Sequence, residues 1–159
     1  MAYHDELMAH ALNLIHLSPP SEMYLRRAVS AAYYAVFHLL IFESTQHWDN
    51  AALRAALGRG YDHALMRTTS NRVLDSREFP YTNEDPKVVA ALKDVAQGFS
   101  QLQQDPTSPT TTSRNRSILE PALGQVTRAE KIFLTLPRIK NEQIVQEYLT
   151  LLLVKNRTV

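Results

Sequence analysis

Arg27, Ser30, Tyr34 and His38 follow one another at intervals of three and four residues, which places them on one stripe of a single helix. A guanidinium forks onto phosphate oxygens, an imidazole titrates near neutrality, and a hydroxyl or phenol both donates and accepts hydrogen bonds. In line, the four suit ligand binding, above all of a phosphate, and His38 suits proton transfer. The same spacing fits a plain helix surface. Ser30 would then bond its own backbone, Tyr34 and His38 would be half-buried with satisfied polar tips, and Arg27 would pair with a carboxylate.

Arg59 and His63, with three residues between them, are a second arginine–histidine pair, for which a structural role is the alternative. Arg114 and Arg116, with Arg128 and Lys131, offer cations for a phosphate-binding groove or else a solvated charged face. The catalytic candidates are thus His38, His63 and Arg59, and the ligand-binding candidates Arg27, Ser30, Tyr34, His38, Arg114 and Arg116. No GxGxxG, P-loop, HExxH or GxSxG motif occurs, and His4, His10 and His16 recur at a spacing of six that does not stack them on one helix face. Neither a metal nor a cofactor is expected. With no cysteine, the chain has no thiolate ligand, thiol nucleophile or disulfide.

These side chains must be carried by helices. Leu7, Met8, Ala11, Leu12, Leu14 and Ile15 give Asp5–Leu17 an amphipathic period that Ser18-Pro19-Pro20 ends. Ser21 can cap the stretch EMYLRRAVSAAYYAVFHLLIFES, rich in alanine and the longest helix expected. Asp49 or Asn50 can cap AALRAAL, which stops at Gly58, and YDHALMRTTSNRVLDS reads as a further helix. A loop through REFPYTNEDP leads to a helix over Pro86–Gln104, with Asn83 as candidate cap. Asp105–Ser113 reads as an exposed connection. Ser117 and Glu120 have capping-box spacing before a helix that reaches about Leu136 with Pro121 in its first turn. After Pro137 a last helix carries Ile144, Val145, Tyr148, Leu149, Leu152 and Leu153, with Lys155 and Arg157 near its end.

Five to seven helices without period-two alternation predict an all-α, up-and-down bundle forming one domain over residues 1–159. Hydrophobic residues at 45% and only 4 glycines suit a chain that buries its own core, and the net charge of +1 leaves nucleic-acid contact to a local patch. The N-terminus lacks the basic start and apolar run of a secretion signal, and the longest uninterrupted aliphatic run is Leu151–Val154. A cytoplasmic protein without a membrane span is expected.

The run YLRRAVSAAYYAVFHLLIFES, Tyr24–Ser44, resembles the signature helix of the HEPN superfamily (higher eukaryote and prokaryote nucleotide-binding domains), with its arginine-rich start, its serine and an AYYAxFH-like core. Weaker likeness covers Arg59–Met66 and the stretches ILEPALGQVTRAEKIF and QEYLTLLLVKNR. The resemblance implies a helical bundle that dimerises. It implies either a metal-independent ribonuclease of a toxin–antitoxin or defence system, or a domain that only binds nucleotide, RNA or a partner such as a nucleotidyltransferase antitoxin. Active members carry an Arg-x4-6-His motif near the start of a late helix. Here FSQLQQ runs straight into DPTSPTTTSRNRS, and no histidine follows His63. Arg59 precedes His63 by three intervening residues, Arg54 precedes it by eight, and Arg27 precedes His38 by ten, so the motif is absent. A noncatalytic binding domain is the expectation, with a divergent ribonuclease or a structural dimerisation module as alternatives.

Overall fold

Ser21 accepts a hydrogen bond from the Tyr24 amide at 3.2 Å and opens the longest helix, α2 (Glu22–Thr45), as its position before the apolar run predicts. The computed structural model describes residues 2–19, 21–46, 48–79, 81–104 and 118–154. Among them α1 is Tyr3–Ile15, α3 Ala51–Gly58, α4 His63–Val73, α5 Pro86–Leu102, α6 Leu119–Ile139 and α7 Gln143–Leu151. The fold is an all-α helical bundle.

α2 is its axis. Ala28, Ala32 and Ala35 of α2 and Ala11 of α1 are fully buried, and small side chains of this kind let the two helices, which pack extensively on each other, approach closely. The remaining buried side of α2, Val29, Val36, Leu39 and Leu40, meets α5, α6 and α7. By length and hydropathy α2 is also the one described helix that could cross a bilayer, but 61% of that apolar window is buried inside the bundle, so packing accounts for its composition. Glycine makes one close approach possible: a Cβ at Gly98 of α5 would stand 3.0 Å from Ile132 of α6.

Several caps follow the sequence. Asn50 accepts from the Ala52 and Leu53 amides at the start of α3, and Asp62 accepts from the Leu65 amide at 2.8 Å, which starts α4 at His63 rather than at Tyr61. Two expectations are corrected. Asn83 does not cap α5: it sits at φ 66°, a left-handed turn that asparagine tolerates, and Asp85 caps instead through the Lys87 amide at 2.8 Å. α6 does not stop at Leu136 but runs through Pro137 to Ile139, since the only amide lost lies in the last turn and Lys140 still closes onto the Leu136 carbonyl at 2.9 Å. Ser117, Lys155, Arg157 and the connection at 105–113 lie outside the described residues; the residue before α6 is Ile118, which has no capping side chain.

Candidate functional site

The outer face of α2 and α4 line an open cleft of about 750 Å³, to which Leu102 at the end of α5 and the following Gln103 also contribute. From α2 come Val29, Ser30, Tyr33 and Tyr34; from α4 come His63, Arg67, Thr68 and Asn71 at helical spacing. Tyr34 is 45% exposed at the mouth, with its ring beside those of Tyr33 and His63. The His63 ring lies flat on Phe37, with centroids 4.1 Å apart and planes 8° from parallel. Tyr33 stacks in turn on the buried Phe99.

A hydrogen-bond chain links Gln103, Tyr33 and His63. Gln103 Nε2 lies 2.8 Å from the His63 carbonyl oxygen, which only accepts, so the NH2 end of the amide faces it. The same nitrogen donates to the Tyr33 oxygen at 3.0 Å. The Tyr33 hydroxyl and His63 Nδ1 share a hydrogen bond, in which Tyr33 donates when the imidazole carries its hydrogen at Nε2 and accepts when the hydrogen is at Nδ1. Burial raises the Tyr33 phenol above its ordinary value, against the lowering effect of the Gln103 bond and with Tyr34 adding to the rise, so Tyr33 stays protonated.

The other cleft side chains are also donors. Arg67 makes no ion pair or hydrogen bond to any described residue, and the lining holds no carboxylate. The carboxylate of neighbouring Asp62 is engaged by the Leu65 amide. Asn71 accepts from the Ser100 hydroxyl at 2.7 Å, which leaves its amide hydrogens free. Thr68 donates to the Ala64 carbonyl at 2.9 Å, whereas the Ser30 hydroxyl has no partner among the described residues.

The stripe read from the sequence is thus divided. Ser30 and Tyr34 face the cleft. His38, half-buried, turns to α1, where the Tyr3 ring meets it edge-on at 4.9 Å. Burial, with smaller contributions from His4 and His63, holds the His38 imidazole below its ordinary value. Arg27 is exposed outside the cleft, without a partner among the described residues. His63 lines the cleft, while Arg59 is the exposed residue that follows α3 and does not line it. Arg114 and Arg116 lie outside the described residues; Arg128 donates to Gln125 at 2.7 Å, and Lys131 pairs with Asp94 at 2.7 Å. Five polar cleft residues have no counterpart among the sequence candidates: Tyr33, Arg67, Thr68, Asn71 and Gln103. Arg67 had a signal, four residues after His63 on a helix; Gln103 had none, because its partners lie 40 and 70 positions away.

The chain matches no family model, no curated protein and no solved structure.

Proposed function

We propose that this chain is a HEPN-like helical domain that binds RNA or nucleotides through the α2–α4 cleft, and that it does so without the family's Arg-x4-6-His cleavage chemistry. The observation that carries the reading is Arg67, without a partner among the described residues, beside the His63 imidazole in a cleft whose lining holds no carboxylate and whose mouth carries the exposed ring of Tyr34. An arginine with no internal partner is a ready phosphate contact, and an aromatic face at the mouth suits an unstacked base. The tyrosine and the serine of the stretch that resembles the HEPN signature helix supply one wall.

Fluorescence anisotropy with labelled single-stranded RNA tests this. Binding should weaken as salt rises, and Arg67→Ala and Tyr34→Ala should each reduce affinity by about tenfold. Binding that is absent, or unchanged in both variants, overturns the reading and favours a structural dimerisation module. The alternative of a divergent metal-independent ribonuclease draws on the meeting of His63 and Arg67 in one cleft. It requires cleavage of RNA in the presence of a chelator that disappears in His63→Ala.

The proposal extends to assembly and location: a cytoplasmic homodimer, or a complex with a nucleotidyltransferase or other antitoxin. Light scattering at micromolar concentration distinguishes dimer from monomer. A neighbouring gene for such a partner would support the complex.

A further inference from the structure

Ser30, His63, Arg67 and Asn71 line one cleft; Ser30, Arg67 and Asn71 each have an N–H or O–H to give, and so has His63 when its hydrogen is at Nε2. Asn71 has spent its carbonyl oxygen on Ser100 and keeps its amide hydrogens, whereas Gln103 has spent both of its hydrogens, one on the His63 carbonyl and one on the Tyr33 oxygen. Donors without an opposing carboxylate match a ligand made of acceptors. A phosphate monoester has three terminal oxygens and close to two negative charges, while an internal phosphodiester has two free oxygens and one charge. The monoester uses more of what the cleft offers.

Resting on the binding reading above, we infer that Arg67, Asn71 and the Nε2–H of His63 form a seat for a terminal phosphate group, with Gln103 and Tyr33 as the positioning residues that keep His63 a donor. The group can come from a nucleoside monophosphate or from a phosphorylated RNA end. Gln103 acts through Tyr33. A glutamate at 103 cannot donate; it would take the Tyr33 hydroxyl hydrogen, turn the Tyr33 oxygen into an acceptor, and draw the imidazole hydrogen to Nδ1. Nε2 would then present a lone pair to the phosphate.

Nitrogen-15 NMR of histidine-labelled full-length protein at alkaline pH reads the tautomer directly. Free protein should show His63 protonated at Nε2 and bare at Nδ1, and Gln103→Glu should exchange the two. Inorganic phosphate and AMP should move the Nε2 signal saturably, while adenosine and a diribonucleotide with hydroxyl ends should bind at least about tenfold more weakly. RNA carrying a 5′-phosphate should outcompete AMP if the RNA end is the source, and should be matched by AMP if the mononucleotide is. Arg67→Ala and the isosteric Asn71→Asp should each weaken AMP by about tenfold or more. A free protein with its hydrogen at Nδ1 overturns the inference. So does phosphate that leaves His63 unmoved, or AMP affinity indifferent to Arg67→Ala and Asn71→Asp. If RNA still binds in an Arg67-dependent way while phosphate and AMP do not, the phosphate seat alone is lost; if AMP binds and RNA does not, only the RNA reading is lost.

Discussion

Ser70 of α4 and Tyr148 of α7 meet where neither residue is exposed, with their hydroxyls 2.9 Å apart and Ser70 Oγ 2.8 Å from the Met66 carbonyl. The carbonyl only accepts, so Ser70 gives its hydrogen to Met66 and Tyr148 gives its own to Ser70. Deleting the two hydroxyls is therefore unequal. Tyr148→Phe removes a donor together with its need for a partner and should cost about 1 kcal/mol. Ser70→Ala strands a phenol hydrogen in a dry site and should cost about 2 kcal/mol, or roughly 4–8 °C in Tm for a chain of this length. The double variant should be no worse than Ser70→Ala alone, a coupling of about 1 kcal/mol or more that urea denaturation followed by circular dichroism resolves. Tyr148→Phe costing as much as Ser70→Ala, or simple additivity, would refute the assigned donor direction. A second readout is alkaline. Burial, against the weaker lowering effect of the Ser70 bond, holds the Tyr148 phenol far above its ordinary value of 10.0. Above that pH the unfolded chain has released a proton that the folded chain retains, so stability falls as pH rises, by up to about 1.4 kcal/mol per pH unit. Tyr148→Phe should lack this contribution.

Lys140→Ala removes the partner of Glu43, whose side chain is 8% exposed and which holds Lys140 Nζ at 3.0 and 3.2 Å. Because Lys140 itself is 35% exposed, the cost should be about 2 kcal/mol rather than that of a fully buried pair, with partial recovery in Lys140→Ala/Glu43→Gln; equal stability to wild type in urea would contradict it. Gly124→Ala, where an added Cβ has nothing within 4 Å, should stabilise α6 by about 0.5–1 kcal/mol, whereas Gly98→Val should cost about 1–3 kcal/mol against Ile132, an opposition that thermal melts can check. His38 titrates below its ordinary 6.5, so as pH falls past that value the unfolded chain takes up protons first and stability declines; His38→Gln should flatten this acid limb when unfolding is compared at about pH 5 and about pH 7.5.

The helices were legible where local chemistry decides them. Ser21, Asn50 and Asp62 cap because their short side chains reach the next amides whatever the bundle does later. Asn83 misleads because it and Asp85 stand two residues apart and both are good caps; the left-handed turn at Asn83 leaves Asp85 the role. Pro137 misleads because proline's cost is greatest in a helix interior, and in the final turn it removes one bond and no more. Of the site, Ser30 and Tyr34 on α2 and His63 on α4 were legible. The spacing of Ser30, Tyr34 and His38 gives one stripe, but packing decides which neighbour each meets: α4 shares the cleft with Ser30 and Tyr34, while Tyr3 of α1 covers His38. No period in a sequence records that choice.

The same long-range contacts decide between binding and cleavage on the proposed reading. A general base needs a lone pair aimed at the hydroxyl it deprotonates, and an imidazole has one lone pair when neutral. On the tautomer inferred above, the His63 lone pair is at Nδ1 and is taken by the Tyr33 hydroxyl, while Nε2 carries hydrogen. The nearest alternative imidazole, His38, belongs to the α1 side and does not line the cleft. Ser30, Tyr34 and Thr68 bring hydroxyl oxygens, which are weak bases at neutral pH. An RNA held here meets charge stabilisation from Arg67 and a donor from His63, but no group ready to take a 2′-hydroxyl proton. On the proposed reading, binding without cleavage is expected from that tautomer as well as from the missing Arg-x4-6-His motif, and the residue that would enforce it is Gln103, just past the end of α5.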